Sequence, residues 1–85
     1  MKSITRILIA NRGEIARRIM QTARTMGISC VAIYEDDDAR SLYVREADTA
    51  VRLANGFLDQ ADILRIAAEQ GVDAIHPGYG FLAEN

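Results

Sequence analysis

Ile7-Leu8-Ile9-Ala10-Asn11-Arg12-Gly13-Glu14 sets the architecture of this chain. The apolar run 7–10 is continuous and too short for a stable helix, as in a strand covered on both faces. Asn11-Arg12-Gly13 then turns the chain, and helical spacing follows over residues 13–26. Ile15, Ile19, Ala23 and Met26 fall on one stripe, with Arg17, Arg18, Gln21 and Arg24 mostly off it. Asn11, with Glu14 three residues on, fits a helix cap and capping box, and Gly27 fits the stop.

The same alternation continues outward. Residues 28–34 predict a second strand, with Cys30, Val31, Ala32 and Ile33 inside it. The polar loop Glu35-Asp36-Asp37-Asp38 follows. A brief helix capped by Ser41 is expected over 41–46, presenting Tyr43 and Arg45 on a solvated face. Thr49-Ala50-Val51-Arg52-Leu53 is a weaker third strand, and Asn55-Gly56 turns the chain. An amphipathic helix spans 60–70, with Asp59 as cap, Gly71 as stop, and Ile63, Leu64, Ala67 and Ala68 inward. Asp73-Ala74-Ile75-His76 is the fourth strand. Strands alternating with helices predict an α/β fold: a three-layer, Rossmann-like parallel sheet of about four strands. The expected order is 3-2-1-4. That order puts a ligand crevice where the first and fourth strands end, between Asn11-Arg12-Gly13 and the loop His76-Pro77-Gly78-Tyr79-Gly80.

Size and composition exclude several function classes. At 85 residues the chain is one small domain, burying only about 60–65% of its unfolded surface. Hydrophobic residues are 49% and charged residues 26%, the profile of a globular domain. Nine of the ten basic residues are arginine, but they are scattered and the net charge is −2, so no nucleic-acid partner is expected. No apolar run approaches the ~20 residues of a membrane span. The start of the chain lacks the apolar stretch of a signal peptide, and the single Cys30 rules out an internal disulfide and suits a cytoplasmic setting.

The motifs carry two readings each. Asn11-Arg12-Gly13-Glu14 occupies the place of a phosphate-binding turn but has one glycine, failing the G-x-G-x-x-G pattern. A compact turn with Arg12 paired to a carboxylate is the plainer reading, and direct nucleotide contact the alternative. Glu35 stands where a dinucleotide site puts its ribose-binding acid, against a reading as an ordinary strand-end carboxylate. The acidic run 35–38 reads as a solvated loop in preference to a metal site. Cys30 reads as a core residue. Pro77 holds His76 extended, while Gly78 and Gly80 allow positive φ and close approach. His76 reads as orienting the loop ahead of acid–base chemistry. Tyr79 is the better contact residue, with packing on a neighbouring domain as the competing account. Glu84 is a site carboxylate or part of a helix's first turn.

Three segments together, 7–16, 43–48 and 74–85, resemble the N-terminal domain of biotin carboxylase, the domain that opens the α subunits of acyl-CoA carboxylases and pyruvate carboxylase. The specific parts are Ile9-Ala10-Asn11-Arg12-Gly13-Glu14-Ile15-Ala16 and His76-Pro77-Gly78-Tyr79-Gly80-Phe81-Leu82-Ala83-Glu84-Asn85. The resemblance covers essentially residues 1–85 and implies a pre-ATP-grasp fold, cut short at its C-terminal end. It implies a ligase that uses ATP, Mg²⁺ or Mn²⁺ and bicarbonate to carboxylate biotin on a carrier domain through carboxyphosphate. Tyr79, Gly80 and Gly78, and more weakly Glu84, would belong to the biotin and carboxyphosphate side of the cleft. His76, Pro77, Asn11, Arg12 and Gly13 would shape the loops.

In that family the nucleotide-gripping lysines, metal-binding glutamates and biotin-handling arginine lie in later domains. No catalytic or metal-binding residue is therefore expected within these 85 residues. Partners implied are the ATP-grasp and C-terminal domains of the same enzyme, a biotin carboxyl carrier domain and a carboxyltransferase subunit. A homo-oligomer is also implied. Its dimer contacts in bacterial members use charged positions on the first helix, matched here by Arg18 but also by uncharged Gln21 and Thr25. The location would be cytoplasmic, or the mitochondrial matrix in a eukaryote. The alternatives are a non-catalytic binding or assembly module and, less consistent with the glycines, a small NAD-binding protein.

Overall fold

The computed structural model describes residues 3–78. Its elements are β1 (Arg6–Ile9), α1 (Gly13–Thr25), β2 (Ser29–Tyr34), a 3₁₀ turn (Asp36–Asp38), α2 (Leu42–Glu46), β3 (Thr49–Arg52), α3 (Gln60–Glu69) and β4 (Ala74–His76). The four strands form one parallel sheet in the order β3-β2-β1-β4, as the strand–helix alternation predicted. Leu8 lies level with Val31 on one side and Ile75 on the other, and Ile9 with Ala32 and His76.

Because side chains alternate along a strand, β1 and β2 feed two separate cores. Leu8, Ala10, Val31 and Ile33 pack with Leu53, Phe57, Ile63 and Ile66 beneath α3. Ile7, Ile9, Cys30 and Ala32 pack on the opposite face with Ala16, Met20, Ala23 and Tyr43 beneath α1 and α2. Each large aliphatic side chain buried this way contributes about 1.5–3 kcal/mol. Small residues meet across the second core, Ala16 and Ala23 against Cys30 and Ala32, so α1 can lie close to the sheet.

Helix ends follow the sequence signals in part. Ile28 N donates to Ala23 O and Gly27 N to Arg24 O, the paired bonds that close a helix on glycine. Asp59 caps α3, its Oδ1 accepting from Asp62 N at 3.1 Å. At the other end of the sheet Arg6 donates to Gln70 O, Gln70 Oε1, Ser29 Oγ and Thr49 Oγ1, binding the strand starts together.

Several expectations about facing need correction. The buried stripe of α1 is Ala16, Met20 and Ala23; Ile15 and Ile19 are half-buried and Met26 is 67% exposed. The helix is turned so that its small residues meet the sheet, which leaves Ile19 and Met26 on the flank beside β4. In α3 the inward residues are Ile63, Ile66 and Ala67, while Leu64 and Ala68 face out. Tyr43 is not solvated: it is 1% exposed, its hydroxyl donating to Ile33 O at 3.1 Å. A tyrosine next to charged residues reads as surface in sequence, but one hydrogen bond to a strand carbonyl satisfies its only polar atom.

Candidate functional site

The carboxyl ends of the four strands converge on one rim, and polar side chains there lace each loop to its neighbour. Asn11 is 1% exposed and follows β1. Its Nδ2 donates to Pro77 O, beyond β4, at 2.9 Å, and its Oδ1 accepts from Arg12 N at 2.8 Å. Arg12 reaches the other way, donating through Nε to Asp38 Oδ2 and through Nη2 to Asp38 Oδ1, both at 2.6 Å, after β2. Glu35 completes the series: its Oε2 accepts from Phe57 N, after β3, at 3.0 Å. Three side chains, Asn11, Arg12 and Glu35, thus join β4 to β1, β1 to β2, and β2 to β3.

The local geometry corrects the expected capping box. Arg12, with extended φ of −135°, is the residue before α1, and no side chain caps the helix. Asn11 is spent on its own turn and on Pro77, and Glu14 pairs with Arg17 at 3.1 Å instead. Gly13 opens α1 at φ 61°, a left-handed conformation that costs an ordinary residue about 1–2 kcal/mol. A Cβ there would meet nothing within 4 Å, so the glycine serves the backbone and not close packing.

The solvated-loop reading of the acidic run holds for Asp36 and Asp37, which are exposed, but not for Asp38. It is 5% exposed, and a buried carboxylate persists only when paired. The hydrogen bonds from Arg12 hold its carboxyl below the usual range, against the opposing effect of burial, with further support from Arg12's charge, Ser41 and Tyr43. Arg12 is raised in turn, chiefly by its hydrogen bonds with Asp38. Burial, then the Asp38 charge, pushes the Tyr43 phenol upward. Tyr43 Oη lies 3.5 Å from Asp38 Oδ2 and Ser41 Oγ 3.3 Å from Oδ1, closing a small polar cluster. Sequence reasoning read Asp38 and Tyr43 as solvated; the one available signal was an arginine in a turn that needs a carboxylate partner. Glu35, weighed as a ribose acid, is engaged by the backbone after β3.

On the β4 side, His76 Nδ1 accepts from Gly78 N at 3.0 Å, folding the loop back over Pro77. Gly78 has φ 65°, and a Cβ there would lie 3.0 Å from both Asn11 Nδ2 and Ile15 Cγ2. The two bends after β1 and β4 do lie side by side, as the strand order required. They meet in direct contact through Asn11 and Pro77, and a hollow of about 170 Å³ lined by Ala10, Gln60, Ile63, Leu64, Ile75 and Pro77 lies beside them. A hollow of about 280 Å³ lined by Arg12, Glu35, Phe57 and Leu58 opens on the β2–β3 side. A larger, mostly aliphatic groove of about 620 Å³ runs along β4, past Ile4, Ile19, Met26, Ile28 and Ile75. Cys30 is buried, with its thiol pushed up by burial and then by Asp48. The expected contact residues Tyr79, Gly80 and Glu84 lie outside the described residues. Among the described residues no group of three or more His, Cys, Asp or Glu could hold a metal ion, and no helix is long and apolar enough to cross a membrane.

A parallel α/β sandwich whose strand-end loops are laced into one rim defines the class: a Rossmann-like domain, a kind in which ligands generally bind at the carboxyl edge of the sheet. Residues 3–85 match the family described as the biotin carboxylase N-terminal domain, and the chain belongs to that family. The mitochondrial methylcrotonoyl-CoA carboxylase subunit alpha of Arabidopsis thaliana is 52% identical over 87 residues, which cover 96% of this chain and 12% of that protein. The mitochondrial propionyl-CoA carboxylase alpha chain of Caenorhabditis elegans is 51% identical over 85 residues, covering 94% of this chain and 12% of that protein. Among solved structures, the biotin carboxylase domain dimer of Hydrogenobacter thermophilus 2-oxoglutarate carboxylase, in complex with MgADP, ADP and bicarbonate, superposes with a TM-score of 0.93. It is 40% identical and covers 100% of this chain and 20% of that one. The chain therefore spans about an eighth of the length of the curated relatives quoted.

Proposed function

We propose that this chain is the N-terminal domain, residues 1–85, of a biotin carboxylase, most nearly the α subunit of a biotin-dependent acyl-CoA carboxylase. The observation that carries the reading is the match of residues 3–85 to that family, together with the rim that joins its two signature loops. The domain contributes one wall of a site where ATP, a divalent cation and bicarbonate carboxylate carrier-bound biotin. The loop from Gly78 through Tyr79, Gly80 and Glu84 faces the biotin and carboxyphosphate side. The ATP-grasp and C-terminal domains of the same enzyme supply the rest, with a biotin carboxyl carrier domain and a carboxyltransferase subunit as partners. A cytoplasmic location, or a mitochondrial matrix one in a eukaryote, completes the proposal.

The described residues do not by themselves fit a nucleotide or a metal. Stabilising concentrated phosphate charge needs several cations or metal ions aimed at it. The cation of the β1–α1 turn, Arg12, is committed to Asp38 in a bidentate pair. These residues therefore shape and hold a wall, and no step of the reaction is assigned to them. The test is incorporation of labelled bicarbonate into biotin by the full-length protein. Label that depends on both ATP and biotin supports the proposal, and its absence from folded protein refutes it. The 85-residue chain alone is expected to bind neither ATP nor biotin measurably; micromolar ATP binding in a calorimetric titration would contradict that.

A further inference from the structure

We propose that Asn11 is a positioning residue for the loop that follows β4, acting as a latch that places Pro77 and Gly78, where that loop begins. The inference rests on the functional reading above for its kinetic consequence, but not for its structural one. Asn11 is buried, and among the described residues its amide performs two tasks. The Oδ1 accepts from Arg12 N and holds its own turn, while Nδ2 donates to Pro77 O across 66 residues of sequence. The carbonyl it grips lies immediately before Gly78. Gly78 in turn fits because it is glycine: a Cβ would crowd Asn11 Nδ2 and Ile15 Cγ2, each at 3.0 Å, and Ile19 Cδ1 at 3.4 Å. From the other side His76 Nδ1 accepts from Gly78 N. The backbone at Pro77–Gly78 is thus fixed by a side chain from β1's end, by a side chain from β4's end and by the side of α1. The turn bearing Asn11 is itself braced through Arg12 to Asp38. A buried polar group satisfied this fully rigidifies what it touches. The loop that carries Tyr79 therefore leaves the sheet from a fixed point, set by a residue that need not touch the ligand.

Asn11→Asp separates the two tasks. It keeps the oxygen that accepts from Arg12 N but sets a carboxylate oxygen against Pro77 O. In the full-length carboxylase the KM for free biotin is expected to rise about tenfold, the factor that about 1.4 kcal/mol represents. The KM for ATP is expected to stay within about twofold, because the latch acts on the biotin-side loop. A merely structural role would lower the active fraction, and hence kcat, without moving one KM apart from the other. Hydrogen exchange on the same protein provides a readout independent of activity. Amides in 74–85 are expected to exchange about tenfold faster, while those opening α1 keep their protection. Gly78→Ala, which pushes on the latch from the opposite side, should give the same pattern and decides the matter if Asn11→Asp does not fold. Unchanged biotin KM with unchanged exchange over 74–85 would overturn the proposal, as would uniform acceleration across the whole domain. If the wild-type protein shows no carboxylation, the functional reading fails alone and the exchange result still decides the latch.

Discussion

Removing the exposed partner of the Arg12–Asp38 pair should cost more than removing the buried one. The side chain of Arg12 is 51% exposed and that of Asp38 only 7%. In Asp38→Asn the guanidinium turns to water, so the loss is that of a charge-assisted bidentate contact, about 1–2 kcal/mol. In Arg12→Ala the Asp38 carboxylate stays buried, with only Ser41 Oγ at 3.3 Å and Tyr43 Oη at 3.5 Å to compensate. Breaking a buried pair costs 3–5 kcal/mol when its survivor is fully enclosed; at this rim about 2–3 kcal/mol is expected.

The pH dependence carries a sign that exposes the cause. In the native protein Asp38 is held below its ordinary value of 3.8 by Arg12. Its contribution is therefore fully present above that value and lost as pH falls through the depressed one. In Arg12→Ala burial is left to dominate, the carboxyl is raised above its ordinary value, and stability recovers as pH falls and the group protonates. Urea unfolding at several pH values should thus show the Arg12→Ala deficit narrowing from pH 7 toward pH 4. An Asp38→Asn loss exceeding that of Arg12→Ala, or a deficit flat across that range, would refute the reasoning.

Tyr43→Phe should destabilise by about 1 kcal/mol in the same assay, since it removes the bond to Ile33 O and the longer contact with Asp38 Oδ2, whereas Tyr43→Ala should cost about 3–5 kcal/mol by leaving a cavity between α2 and β2. Gly13→Ala should lose about 1–2 kcal/mol through its left-handed φ alone, with no loss of packing; a neutral result would mean that the turn relaxes. Cys30 should resist a thiol reagent in the folded protein and react fully in denaturant, because burial shields the thiol and raises its pKa. Rapid native-state labelling would place it outside the core.

The strand order and both apolar cores follow from one-dimensional pattern. Short continuous runs such as Ile7–Ala10 and Cys30–Ile33 fit only strands covered on two faces, and helices between them force parallel pairing. Glycine stops and the Asp59 cap are equally local, since each acts within one turn of its own backbone. The family too was legible, because two uncommon loops stand at a set separation. What the sequence could not place was any interaction closed by folding. Helical spacing offered Ile15, Ile19 and Met26 as the core stripe, but the direction in which α1 rolls depends on where small residues oppose it on β2. Asn11 looked like a cap because Glu14 stood nearby, yet its partner is Pro77, 66 residues away. Asp38 and Tyr43 looked solvated, because polarity reports what a side chain carries and not what lies across from it. Local conformation and periodicity are properties of the chain itself. The rim of laced loops exists only once strands distant in sequence lie about 4.8 Å apart, and that proximity is a product of the tertiary structure.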